Sequence, residues 1–185
     1  MNEAQRQLVF DYALKHDVSA AYAALTLELI ESDDFMEVIR RRPSAEVIAD
    51  IVRLGPAGIV QEMASQLPLH AIQEEVIRAT TTKIGFGRLA ATSILERDLP
   101  LEIEVALRVA IAFWDNDRGE LGILEDAWTN LTDLSCLKVV ANTLTPYSRT
   151  EKMAAKLLKI VRKLNRRSPK NEVESIIIQL AAICG

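Results

Sequence analysis

Along almost the whole of this 185-residue chain, apolar side chains recur three and four positions apart, and alternation with a period of two is almost absent. A helix brings such positions onto one face, whereas a strand brings every second residue there, so the pattern predicts an all-α fold. Pro43, Pro56, Pro68, Pro100, Pro146 and Pro169 all fall between periodic stretches. A first-turn proline loses no hydrogen bond, while one in a helix interior costs about 3 kcal/mol, so these prolines mark joints. Asp34 with Glu37, Asp117 with Glu120 and Ser148 with Glu151 have the spacing of capping boxes and predict helix starts. The segmentation that results is helices over 3–15, 18–31, 34–41, 44–54, 56–66, 69–81, 86–97, 101–115, 118–130, 133–144, 148–166 and 170–183.

With joints only a few residues long, successive helices must turn back on one another. The expected architecture is a set of antiparallel αα-hairpins, stacked either as a short HEAT-like solenoid or as an irregular helical bundle. Leu67-Pro68-Leu69 followed by Val76-Ile77-Arg78-Ala79 is echoed by Leu99-Pro100-Leu101 followed by Ala106-Leu107-Arg108-Val109, at offsets of 32 and then 30 residues. That is a faint repeat of HEAT-like period. Hydrophobic residues make up 49% of the chain, enough for one core, and residues 1–185 are read as a single domain. Val105 to Trp114 is apolar except for Arg108, which shares a stripe with Glu104, so this helix is expected at the centre. The run Ser19-Ala20-Ala21-Tyr22-Ala23-Ala24 is expected to let a neighbouring helix approach closely.

The residues that carry chemistry are sparse. The only histidines are His16 and His70, and although His70 and Glu74 have i, i+4 spacing, no second histidine completes a metal-binding pattern. Cys136 and Cys184 sit in apolar contexts without CxxC spacing, as buried thiols of a reducing compartment do. Asp115-Asn116-Asp117-Arg118-Gly119-Glu120 begins like a calcium loop but carries Gly119, Glu120 and Asp126 where that loop needs an oxygen ligand, a glycine and a bidentate glutamate. Lys83-Ile84-Gly85-Phe86-Gly87-Arg88 lacks both the spacing of a P-loop and a preceding strand, and reads as a flexible turn between helices. No catalytic residue, metal ligand or cofactor is therefore predicted, and the chain is read as non-enzymatic. The polar N-terminal residues lack the order of a secretory signal, and the apolar runs are about half the ~20 residues that span a bilayer, so a cytoplasmic protein without membrane insertion is expected.

Charge is where the sequence departs from the ordinary. Between Pro146 and Asn171 lie nine cations and the single acid Glu151, a balance of +8, while the remainder holds thirteen cations against twenty-five acids, a balance of −12. At 100° per residue, Lys152, Lys156, Lys159, Lys163 and Lys170 share one face of the predicted helix, with Met153, Leu157, Ile160, Val161 and Leu164 beside them. Arg149, Arg166 and Arg167 extend the basic set. A one-signed ridge is either a plain solvated face or a face for an anionic partner. The leading expectation is a protein-interaction scaffold or adaptor with a protein partner. The alternative is a nucleic-acid-binding accessory protein, for which only Tyr147 lies near as a stacking aromatic. The last helix is apolar nearly all round, so either it inserts centrally or another chain covers it, in which case Val173, Ile176, Ile177, Leu180 and Ile183 serve self-association as a homo-oligomer.

Overall fold

The computed structural model describes residues 2–81, 85–115, 118–130 and 150–185, and among these there are helices and no strands. In chain order they are α1 (Glu3–His16), α2 (Val18–Thr26), α3 (Ser32–Arg41), α4 (Ala45–Leu54), α5 (Ala57–Gln66), a 3-10 turn (Leu69–Ala71), α6 (Glu74–Thr81), α7 (Gly87–Leu95), α8 (Leu101–Asp115), α9 (Arg118–Ala127), a second 3-10 turn (Trp128–Asn130), α10 (Thr150–Arg167) and α11 (Val173–Ile183). The expected helix over 133–144, the pairs Asp117 with Glu120 and Ser148 with Glu151, Cys136 and Pro146 lie outside the described residues or side chains.

Helix ends follow local chemistry. Asn2 and Gln5 close a capping box on α1, each side chain accepting from the other's backbone N–H at 2.9 and 3.0 Å. Asp17 caps α2 by accepting from Ala20 N–H at 3.0 Å. The third start differs from the expected one. Asp34 is not the cap of α3; Glu31 is, and its backbone N–H donates to the Asp34 carboxylate at 3.2 Å. Asp34 instead stands in the first turn, where a carboxylate satisfies orphan donors and favours the positive end of the helix dipole.

Two predicted helices are shorter than their periodicity. The stretch 18–31 is helical only to Thr26, because Glu28 takes φ 56°, Leu29 N–H bonds the Ala24 carbonyl at 2.9 Å and Glu28 N–H bonds the Leu25 carbonyl at 3.0 Å. Those paired bonds form a Schellman motif, and its left-handed position is ordinarily glycine. The stretch 69–81 splits into the 3-10 turn and α6, with Ile72 and Gln73 between them. That break accounts for the uneven offset of the echoed segments, since the second block runs from Pro100 straight into α8.

Packing follows two rows. In one, α2 contacts α4, α4 contacts α6 and α6 contacts α8; in the other, α1 contacts α3, α3 contacts α5 and α5 contacts α7. The rows join through α1 with α2, α2 with α3, α6 with α7 and α7 with α8, after which α9 packs on α8, and α10 packs on α9 and α11. Phe35, Ile39, Ile48, Val52, Met63, Ile77, Ile94 and Leu107 are buried where the rows meet, each worth roughly 1.5–3 kcal/mol of apolar burial. On α8, Val105, Ala106, Leu107, Val109, Ala110 and Ala112 are buried while Arg108 reaches Glu104 at 2.9 Å on the half-exposed stripe, as expected of a central helix.

Arginines brace the second row at successive joints. Arg42 donates to the Lys15 carbonyl at 2.6 Å, tying the ends of α3 and α1. Arg40 donates to Gln66 at 3.1 Å, tying α3 to α5, and the Arg97 guanidinium donates to the Leu67 carbonyl just beyond α5. These carbonyls lie at or near helix C-termini, where unsatisfied acceptors and the negative end of the helix dipole favour a cation.

Candidate functional site

The basic helix α10 is an 18-residue amphipathic segment with its apolar positions grouped on one side. Ala154, Leu157, Leu158, Val161 and Leu164 are buried, and α11 closes over them with Val173, Ile176 and Leu180. The opposite side carries the cations. Lys152, Lys159, Arg162 and Arg166 are exposed, and no carboxylate among the described residues pairs with them. At 100° per residue they fall within an arc of about 80°, over a length of about 21 Å. Lys156 is half-buried on the same strip, and Arg149 lies outside the described residues.

Two others of the predicted basic set, Lys163 and Lys170, are engaged with the body, and Arg167 is exposed. Lys163 donates to Glu125 of α9 at 2.5 Å. That hydrogen bond and the ammonium's charge hold the Glu125 carboxyl below its usual range, with Arg167 adding a smaller push in the same direction. Lys170 does not share the ridge. The helix ends at Arg167, Ser168 N–H bonds the Leu164 carbonyl at 2.9 Å, and Lys170 N–H bonds Asn165 Oδ1 at 2.9 Å. The chain has left the helical path before Lys170, so projecting that residue onto the helix face fails. Its ammonium instead lies 5.8 Å from the ring centroid of the buried Trp128, in cation–π range. Trp128 Nε1–H also points at the Ser168 carbonyl at 3.5 Å. Glu125 and Trp128 therefore anchor the basic hairpin, and no sequence pattern singles out either, since they lie 38 and 40 residues from their partners.

The apolar C-terminal helix packs within its own chain. Val173, Ile176 and Leu180 are buried against α10 within the same chain, and Ile177 and Ile183 are half-buried against that core. Ile178 is the large apolar side chain that α11 leaves exposed, at 63%, and Cys184 is an exposed thiol rather than a buried one.

The remaining candidates also acquire places. His16 stacks on Tyr12 with ring centroids 4.1 Å apart. His70 sits in the 3-10 turn and Glu74 opens α6 after a break, so the two share no helix face. Among the described residues no group of three or more His, Cys, Asp or Glu is arranged to hold a metal ion, and no helix is long and apolar enough to cross a membrane. The glycines of 83–88 are explained by packing. Gly85 has φ +69° and would place a Cβ 1.9 Å from the Arg53 carbonyl oxygen, and Gly87 would place one 2.7 Å from the Ala79 carbonyl oxygen. Phe86 N–H bonds the Val52 carbonyl at 3.2 Å between them, so this is a close-packed turn pressed on the end of α4, not a slack one. Residues 116 and 117 of the acidic joint and residues 83 and 84 of the glycine segment lie outside the described residues. Comparison with protein-family models, curated proteins and solved structures gives no match.

Proposed function

We propose that this chain is a cytoplasmic, non-enzymatic scaffold, a short HEAT-like stack of helical hairpins that holds an acidic protein partner on the exposed ridge of α10. The observation that carries the reading is the row Lys152, Lys159, Arg162 and Arg166, exposed, one-signed and opposite the side α10 buries. Packing asks only for polar residues there, and mixed signs would repel less, so a uniform row represents a standing electrostatic cost that an anionic partner removes. The two rows of helices, each contacting the next but one, support the repeat-like stack. The partner's class follows from the remainder of the chain: at −12 it repels a long polyanion, whereas a compact acidic surface meets the ridge alone.

The test is fluorescence anisotropy with two labelled probes, a short poly-glutamate peptide of about six residues, which spans no more than the ridge, and a DNA of about 20 nucleotides in single- and double-stranded form, across a salt series. Saturable poly-glutamate binding that weakens with salt and vanishes in Lys152→Glu/Lys159→Glu/Arg166→Glu is the expected result. Saturable binding of DNA at about 0.1 M salt, lost in the same variant, would replace this reading with a nucleic-acid accessory role. Binding of neither probe removes the ridge as a contact surface.

A further inference from the structure

The acids that balance the ridge are partly gathered at the other end of the packing order. The N-terminus of α1 and the turn after α2 bring Glu3, Glu28 and Glu31 around a shallow depression that Leu29 and Ile30 also line, and Asp33 and Asp34 follow in the first turn of α3. Arg6 is the cation within it, bonded to Asp34 at 2.9 Å and Glu31 at 2.5 Å. Two carboxylates thus share one guanidinium, while Glu3, Glu28 and Asp33 are exposed with no cation paired to them among the described residues. Glu3, Asp33 and Asp34 have a local reason to be there, since acids stabilise the first turn of a helix. Glu28 has none. It occupies the left-handed position of the Schellman motif, φ 56°, where glycine would remove strain, and its side chain is exposed. Beside it Leu27 is 67% exposed, and on the outer side of α1 Leu8 is 69% and Tyr12 59% exposed. The outer face of α1 is otherwise polar, with Glu3, Gln5, Gln7, Asp11, Lys15 and His16 exposed.

We propose that the acidic partner of the α10 ridge is a second copy of this chain, its acidic edge at α1–α3 receiving the ridge of the next molecule head to tail. The inference rests on the ridge being a protein-binding face, and it is carried by charge complementarity. The unpaired cations Lys152, Lys159, Arg162 and Arg166 stand at the end of the packing order formed by α9, α10 and α11, and the acidic edge stands at the end formed by α1, α2 and α3. Because two different surfaces meet, the contact is heterologous and repeats from copy to copy, giving open chains unless the rotation closes a ring. Exposed Leu27 sits beside Glu28 at the rim of the edge, where it adds apolar area to a charge-guided contact.

Sedimentation velocity of the full chain over a hundredfold concentration range, at about 0.1 M and about 1 M salt, tests this directly, because the screening length falls from about 10 Å to about 3 Å. Wild-type mass should grow with concentration in the lower salt and return to the monomer in the higher. Two variants locate the surfaces: Lys152→Glu/Lys159→Glu/Arg166→Glu reverses the ridge, and Glu3→Lys/Glu28→Lys/Asp33→Lys reverses the edge. Each exchanges three charges for their opposites, moving the net charge from −4 by six units, to −10 and to +2 respectively. Each alone should stay monomeric, and an equimolar mixture should associate again because the reversed ridge of one meets the reversed edge of the other. The edge variant, nearest neutrality, guards against reading general repulsion as a lost interface. A wild type that remains monomeric at the highest concentration in low salt overturns the proposal whatever the variants do, and so does an edge variant that associates as the wild type does. If the wild type is monomeric yet still binds poly-glutamate through the ridge, self-association falls and the acidic-partner reading stands; loss of both results removes both.

Discussion

Replacing Gly85 with alanine tests the description of the 85–87 turn as a packing device. A Cβ built there lies 1.9 Å from the Arg53 carbonyl oxygen, 2.5 Å from its carbon and 2.9 Å from its Cα, whereas contacts below 3.0 Å are essentially never adopted. The neighbour is backbone near the end of α4, so relief needs the chain itself to move by about 1 Å, and overpacking of this kind costs roughly 1–3 kcal/mol. The φ of +69° adds about 1–2 kcal/mol for any residue with a Cβ. Together Gly85→Ala should lose about 2–5 kcal/mol. Gly122, inside α9 with nothing within 4 Å of the place a Cβ would take, is the matched control: alanine there removes a helix-interior glycine and should add about 0.5–1 kcal/mol. Urea unfolding followed by far-UV circular dichroism reads both, as shifts of the midpoint at unchanged slope. A Gly85→Ala protein within about 0.5 kcal/mol of wild type would refute the close approach of the turn to α4.

Three further outcomes follow from named contacts. Trp128→Ala should cost about 3–5 kcal/mol in the same unfolding assay, because a fully buried indole at the α9–α10 junction is removed, while Lys170→Met should cost no more than about 1 kcal/mol; equal small effects would show that the indole is not an anchor. Glu28→Gly should stabilise the chain by about 0.5–1 kcal/mol, read as a higher thermal midpoint, since relief of the left-handed backbone exceeds the entropy glycine adds to the unfolded chain, and a loss of stability would contradict the Schellman ending of α2. The Glu125 pair sets a pH dependence with a definite sign. Its carboxyl is depressed in the folded chain, so the pair's contribution is present above the unfolded glutamate value and disappears as pH falls through the folded one. The stability gap between wild type and Lys163→Met should therefore narrow on acidification, and a gap that is constant or widens would exclude the pair as its origin.

Much of the helical order is legible in the sequence because it depends on local rules. Period, proline joints and first-turn acids predict α1, α4, α5 and α8 to within one or two residues, since each residue involved acts on its own neighbours. The misplaced boundaries arise where a local rule is broken in favour of the chain path. Leu27 to Ile30 continue the helical period, yet the backbone turns at a glutamate where glycine is usual; Ile72 is apolar and in phase, yet the helix breaks there. Neither departure has a composition signal, because the deciding hydrogen bonds and burial belong to the folded chain.

The same distinction divides the basic surface. Sequence alone predicts a one-signed ridge, because a helix fixes the angular position of Lys152, Lys159 and Arg166 relative to Leu157 and Leu164. It does not predict which cations are consumed, since Lys163 is captured by a carboxylate 38 residues earlier and Lys170 leaves the face when the helix stops at Arg167. The difference changes the chemistry. Of the eight described cations of this segment, Lys152, Lys159, Arg162 and Arg166 form a narrower strip with no carboxylate paired to them among the described residues, Lys152, Lys159 and Arg166 lying at seven-residue intervals, or about 10 Å apart along the helix. A strip of that spacing meets a few carboxylates at fixed intervals rather than a continuous run of charge, which is the physical reason to favour an acidic protein edge over a nucleic-acid backbone. On that argument the salt dependence of ridge binding should correspond to about three or four released ions, and a slope near the roughly eight or nine expected from the full cation count would reverse the preference.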